Sequence, residues 1–343
     1  MKIFFFDSGD PKLGSNRIYI KNLSNWIKPY TKKIRISKKF EAGYDFYICS
    51  KYCSSSDLEK IKSNASKSII GQIHPDDSSD DEKKKLKLAD FYIVGSIEEK
   101  AYLQNYCKNI FRFPQIENYN LSFKKHFKLK KIILGYHGNL NNLKGSNQNF
   151  VRAIELLSKK YNLEFHIIYN KKLGNFSNAK INYKIIDWSQ KNLKNFLKKV
   201  DIGIVPATNN LFFDKDPKDN FFLSLFKYFF SKFGNKSDYI IQFKYKSNPG
   251  RSHLFHQAGI PVVAGFWPSH FEILSDMKNG FLAHSTSSWV QSIEKLIISH
   301  HLRGQMSKNA FKAYRKIYNP KIWTDDLINF LKIQKNEKNK HIN

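Results

Sequence analysis

Short apolar runs alternate along this chain with longer stretches whose apolar residues recur at helical spacing. Lys2–Phe6 is such a run, closed by Asp7, and others stand at Lys33–Ile36, Asp45–Cys49, Ser68–Ile73, Phe91–Val94 and Ile110–Phe113. Rich in Ile, Phe, Tyr and Val and bounded by polar turns, they predict strands. The stretches between predict helices. After a loop containing Gly9, Pro11 and Gly14, with Ser15 or Asn16 as cap, one stripe carries Tyr19, Leu23, Trp26, Ile27 and Tyr30. Ser96-Ile97-Glu98-Glu99 reads as a capping box that opens another helix.

A polar stretch, Glu117–Lys131, precedes a second series of the same kind. Strands are predicted at Ile132–Tyr136, Glu164–Tyr169, Asn182–Ile186, Ile202–Val205 and Ile260–Ala264. One intervening helix presents Phe150, Ile154, Leu157 and Tyr161, and another, led by Ser189, presents Leu193, Phe196, Leu197 and Val200. Strands separated by helices imply a parallel sheet covered on both faces. The expected architecture is α/β, with two Rossmann-like domains at 1–128 and 129–312 facing a cleft between the carboxyl ends of their sheets. Residues 313–343 are expected to return as a helix to the first domain and end in a basic tail.

The length of 343 residues agrees with two domains. The net charge of +29 admits two explanations, a polyanionic partner or lysine-rich composition, because only seven of the 58 basic residues are Arg. Scarce Arg argues against base-edge readout of nucleic acid, so nucleic acid is not an expected partner. Cys49, Cys53 and Cys107 suit neither a disulfide scaffold nor a zinc site, and a reduced cytoplasmic protein is expected. Asp7 interrupts the apolar N-terminus too early for a signal peptide, and no run approaches the ~18 apolar residues of a spanning helix.

Two segments carry candidate chemistry. Lys246-Ser247-Asn248-Pro249-Gly250-Arg251 reads as the start of a helix, with Asn248 as cap and Pro249 as first helical residue, ending at Gly259. Its N-terminus would favour a phosphate, and Lys246 and Arg251 flank it. Gly138-Asn139, after a strand, lets an anion approach the backbone, and Lys144 stands before the next helix. Ordinary caps and solvated cations are the plainer reading of each segment alone.

In order and spacing these segments resemble the nucleotide-sugar-binding domain of GT-B fold glycosyltransferases of the group-1, family-four type found with surface polysaccharides. The matching series is Gly138…Lys144-Gly145, Asp201-Ile-Gly-Ile-Val-Pro206, Gly259-Ile-Pro-Val-Val-Ala264, Glu272-Ile-Leu and Asn279-Gly280-Phe281-Leu282. It implies a donor diphosphate held by Gly138, Asn139, Lys144, Lys246, Ser247, Asn248 and Arg251, and a nucleotide and sugar beside His137, Pro206, His253 and Glu272. In the first half it implies an acceptor-side loop at Gly9, Gly14 and Ser15, and a histidine near the donor sugar at His74. Asp7, Asp76 and Asp77, at strand ends, are candidate bases in an inverting enzyme, with turn and cap chemistry as the plainer reading. Two glutamates usual in retaining members are Lys246 and Leu254 here, and the Arg after the first glycine is Asn139. Nucleotide and anomeric outcome therefore stay open.

The expected function is transfer of a sugar from a nucleoside-diphosphate sugar to a hydroxyl of a capsule or lipopolysaccharide glycan, free or lipid-linked. No cofactor and no essential metal are expected. The setting is cytoplasmic, at the inner face of the cell membrane, where Phe- and Lys-rich 208–244 could touch anionic lipid or fold as core. Alternatives are transfer of a non-sugar phosphorylated group from a nucleotide carrier, a non-catalytic basic protein that binds nucleic acid or an anionic surface, and a degenerate scaffold.

Overall fold

The computed structural model describes residues 1–10, 13–117, 119–144, 149–207 and 249–342. It divides into two compact units, Met1–Tyr119 with Ile317–Asn343, and Asn120–Lys316. These limits fall at 119/120 and 316/317, where the sequence suggested 128/129 and 312/313.

The first unit contains β1 (Lys2–Phe6), β2 (Lys33–Ser37), β3 (Phe46–Cys49), β4 (Ile69–Ile73), β5 (Phe91–Val94) and β6 (Ile110–Arg112). They form one parallel sheet in the order β2-β1-β3-β4-β5-β6. Every residue of β3, β4 and β5 is buried, because helices cover both faces of a parallel sheet. Edge strand β2, Lys-Ile-Arg-Ile-Ser, keeps cations on its open side, which blunts edge-to-edge pairing. The order reverses between β1 and β3, and in open α/β sheets ligands bind at such a point beyond the carboxyl ends.

Of the predicted first helical stripe, Tyr19, Leu23 and Ile27 are buried, but Tyr30 is 40% exposed. The turn Arg17–Asn22 is a π-helix, which shifts the register of the turns after it. Leu23 and Ile27 nevertheless stay on the buried stripe; Tyr30 leaves it in the tighter 3-10 turn Lys28–Tyr30 and donates a hydrogen bond to Asp325. The helix Pro320–Ile342 packs within this unit: Phe330 meets Phe91 and Phe111, Lys335 pairs with Asp45, and Arg112 lies over Trp323.

The second unit contains β7 (Ile132–His137), β8 (Leu163–Tyr169), β9 (Tyr183–Asp187), β10 (Ile202–Val205), β11 (Val262–Gly265) and β12 (Gly280–Ala283). Again all pairs are parallel, in the order β12-β11-β10-β7-β8-β9. Counted from β7, this is the dinucleotide-binding order of the Rossmann fold, with its switch point between β7 and β10. Phe150, Ile154 and Leu157 are buried as predicted, as are Leu193, Phe196, Leu197 and Val200. Lys124 and Asp201 form a salt bridge of 2.9 Å that ties the polar entry segment to the foot of β10. Among the described residues no helix is long and apolar enough to cross a membrane.

Candidate active site

In the second unit, the predicted residues gather at the switch point. β7 ends in Tyr136 and His137, and Gly138 follows with φ of +141°, a conformation side chains rarely adopt. A Cβ there would stand 3.1 Å from Arg251 Cδ, so glycine brings the β7 turn against the arginine. Asn139 accepts the Asn141 N–H at 2.8 Å and so caps the short helix Leu140–Lys144. Lys144, the last residue of that helix, is exposed. Pro206 is buried just after β10.

Arg251 enters from the helix Gly250–Gln257. Pro249 is the cap residue of this helix, not its first helical residue as predicted, since its ψ of 2° is not helical. The helix closes at Ala258, and Gly259 just beyond it has φ of +70°. The Arg251 guanidinium lies 5.6 Å from the Tyr136 ring centre and 5.8 Å from that of Trp267. It donates one hydrogen bond, from Nη1 to Tyr136 Oη at 3.3 Å. Among the described residues no carboxylate pairs with it. A guanidinium carries five N–H donors, so most of its capacity is open to an anion. The indole N–H of Trp267, fully buried beside it, has no hydrogen-bond partner among the described residues either.

Histidines surround this cation. His137 hydrogen-bonds the Arg251 carbonyl at 3.0 Å, and His270 hydrogen-bonds the Gly265 carbonyl at 2.8 Å and approaches Ser252 at 3.4 Å. Burial pushes both rings down to about 4, helped by the Arg251 charge, and pushes His256 down to about 3. At neutral pH they are uncharged, so Arg251 supplies the local positive charge. His253 is buried on the same helix, whereas Glu272, on the helix Pro268–Ile273, is exposed.

In the first unit, Asp7 ends β1 and accepts hydrogen bonds from the Gly9 N–H and the Asn16 side-chain amide, each at 3.1 Å. Its carboxylate thus ties Gly9 to Asn16. Ser15 meets Tyr52 Oη at 3.1 Å. Asp76 accepts the N–H groups of Asp77 and Ser78, an Asx turn after β4. His74 sits between, in the left-handed region at φ of +47°. Its Nδ1 lies 2.8 Å from Glu99 Oε1.

The capping box predicted at Ser96–Glu99 is half formed. Ser96 accepts the Glu99 N–H, but the Glu99 carboxylate accepts the Gly95 N–H and binds His74 instead of closing the box. Glu99 and Tyr136 are residues of the two sites that no functional motif singled out. Only Glu99 carried a local signal, and it pointed to helix capping. Lys246, Ser247, Asn248 and the 208–244 segment lie outside the described residues. Among the described residues no three His, Cys, Asp or Glu side chains gather as a metal site.

No family model matches the chain, and no curated protein sequence matches it. Solved structures do. Sucrose-phosphate synthase from Thermosynechococcus elongatus aligns over 95% of this chain and 96% of its own, with TM-score 0.64 and 11% identity. Anabaena HepE in complex with UDP-glucose aligns over 97% and 99%, with TM-score 0.63 and 12% identity. S. aureus TarM, in complex with fondaparinux, alpha-GlcNAc-glycerol and UDP, covers 83% of this chain at TM-score 0.56 and 14% identity. The chain spans about half the length of TarM, 55%. At these identities the likeness is one of fold, and this chain has the two-domain Rossmann-like GT-B fold that these proteins share.

Proposed function

We propose that this protein is a glycosyltransferase that moves a sugar from a nucleoside-diphosphate sugar to a hydroxyl of a surface-glycan acceptor, without an essential metal. One observation carries the reading: the Arg251 guanidinium, with no carboxylate partner among the described residues, stands between two aromatic faces at the switch point of the second sheet. A diphosphate satisfies that cation, and the N-terminus of the helix Gly250–Gln257 adds its dipole. Lys144 and, from the sequence, Lys246, Ser247 and Asn248 complete the donor site. The shared fold supports the class, since HepE is seen in complex with UDP-glucose and a TarM mutant in complex with fondaparinux, alpha-GlcNAc-glycerol and UDP.

Negative charge grows on the leaving diphosphate as the glycosidic bond breaks. Fixed donors aimed at it stabilise the transition state more than the ground state. Removing one such donor costs about 3–4 kcal/mol in comparable sites. His74 is the base we assign for the acceptor hydroxyl, because Asp7 and Asp76 are engaged in local hydrogen bonds.

Thermal shift with UDP, GDP, CDP, ADP and their sugars tests the donor site. A ligand at 100 times its Kd stabilises by about 2.7 kcal/mol. The wild type is expected to shift with one of these nucleotides, Arg251→Ala to lose the shift and Lys144→Ala to reduce it. No shift with any nucleotide, or a full shift in Arg251→Ala, overturns the assignment.

A further inference from the structure

We infer that Glu99 is a positioning residue that holds His74 in the tautomer protonated on Nδ1, leaving the Nε2 lone pair as acceptor for a substrate hydroxyl. This rests on the glycosyl-transfer reading and specifies the base within it.

Several features converge on one imidazole. Glu99, 2% exposed, places Oε1 and Oε2 at 2.8 and 3.0 Å from His74 Nδ1, and Oε2 also accepts the Gly95 N–H at 2.8 Å. A carboxylate only accepts, so Nδ1 carries the proton. The Tyr19 ring meets the imidazole edge-on, 4.4 Å between centres, and Tyr19 is itself fixed by its hydroxyl on the Phe113 carbonyl. A Cβ on Gly95 would lie 2.8 Å from His74 Cε1, so a side chain there would displace the ring.

Two further observations separate this from ordinary packing. His74 holds φ of +47°, a strained conformation for a non-glycine residue that persists only where its surroundings impose it. Its Nε2 is buried with no hydrogen-bond partner among the described residues. The arrangement fixes one nitrogen and leaves the other waiting for a hydrogen-bond donor.

The step balances with the substrates alone. The acceptor hydroxyl gives its proton to Nε2 while its oxygen bonds to the anomeric carbon. The bond from that carbon to the diphosphate oxygen breaks, and its electron pair leaves on the phosphate. Glu99 stays ionised and stabilises the imidazolium that forms, as the orienting carboxylate of a hydrolytic triad does.

Nitrogen-15 NMR of histidine-labelled protein near pH 8 reads the tautomer directly, with His74 assigned by the signal lost in His74→Asn. The wild type is expected to show a protonated Nδ1 and a bare Nε2; a protonated Nε2 overturns the inference. In Glu99→Gln, the amide oxygen keeps the Gly95 N–H and turns its NH₂ toward Nδ1, so the proton should move to Nε2. With a donor sugar identified by thermal shift, kcat in Glu99→Gln is expected to fall roughly 10²–10⁴-fold with little change in donor KM, and Glu99→Asp to recover part of it. An unchanged tautomer or unchanged kcat in Glu99→Gln overturns it as well. Failure of the donor reading appears separately, as absence of nucleotide binding in a protein whose His74 tautomer is still as stated.

Discussion

Arg17 and Arg251 sit in comparable surroundings and are treated in opposite ways. Each guanidinium is partly buried against aromatic rings, Arg17 by Tyr119 and Arg251 by Tyr136 and Trp267. Arg17 has its counter-charge built in, a two-pronged pair with Glu117 whose Nε–Oε2 distance is 3.1 Å. Arg251 has one neutral hydroxyl and neutral histidines. The same split runs through the histidines. His74 is held by Glu99, whereas His137, His256 and His270 are kept uncharged by burial. Charge completed internally positions structure; charge left incomplete at a sheet switch point is available to a ligand.

The largest expected effect is the response of the second unit to acid. His137, His256 and His270 have folded values near 4, 3 and 4, below the ordinary histidine value of about 6.5. Above pH 6.5 both states are neutral there and stability is flat from this source. As pH falls below 6.5 the unfolded chain takes up protons that the folded one refuses, so stability is lost down to about pH 4. Three such groups give a slope of about 4 kcal/mol per pH unit. Urea unfolding between pH 7 and 4.5 checks this, and a flat profile would show that these histidines are not held neutral. Because Arg251 contributes to two of the depressed values, Arg251→Ala should soften the slope.

Next in size is the direct contrast of the arginines. Arg17→Ala leaves Glu117 without its main counter-charge and is expected to cost about 3–5 kcal/mol, while nucleotide binding at saturating ligand is retained. Arg251→Ala has no carboxylate to orphan, so thermal stability should change by less than about 1 kcal/mol while the nucleotide shift disappears. If both variants lose stability equally, Arg251 is structural and the comparison fails.

Much of the architecture was legible because central parallel strands are buried on both faces. Phe46–Cys49 and Phe91–Val94 therefore read as unbroken apolar runs, and Ile69–Ile73 is interrupted only by Gly71 and Gln72. The π-turn at Arg17–Asn22 was not legible, since nothing in periodic spacing announces an extra residue in one turn. The sites were legible where a local rule applied: Gly138 after a strand, and the helix that carries Arg251. They were not where folding joins distant positions. His74 and Glu99 are 25 residues apart, and Arg251 and Tyr136 are 115 apart. Glu99 also imitates a capping residue so well that its second partner could only be seen in three dimensions.

Gly138→Ala is expected to cost about 1–3 kcal/mol, since alanine at φ of +141° is strained and its methyl meets Arg251 Cδ. Nucleotide affinity should fall with it. A variant of wild-type stability and affinity would show that the close approach of the β7 turn to Arg251 is incidental.

The smallest effect is the most specific to the comparison. Tyr136 Oη accepts from Arg251 Nη1 at 3.3 Å and donates to the Asn139 carbonyl at 2.8 Å, so it is the one fixed point between the cation and the glycine turn among the described residues. Tyr136→Phe keeps the ring under the guanidinium and removes only the hydroxyl. Asn139 is exposed, so water can take over its carbonyl, and the stability cost should stay near 0.5–1.5 kcal/mol. Affinity then decides between two roles for the hydroxyl. If Arg251 is aimed by it, releasing the guanidinium lowers nucleotide affinity a few-fold, by titration calorimetry, through lost preorganisation. If affinity rises instead, the hydroxyl competes with the phosphate for the guanidinium, and the cation is oriented by the two ring faces alone.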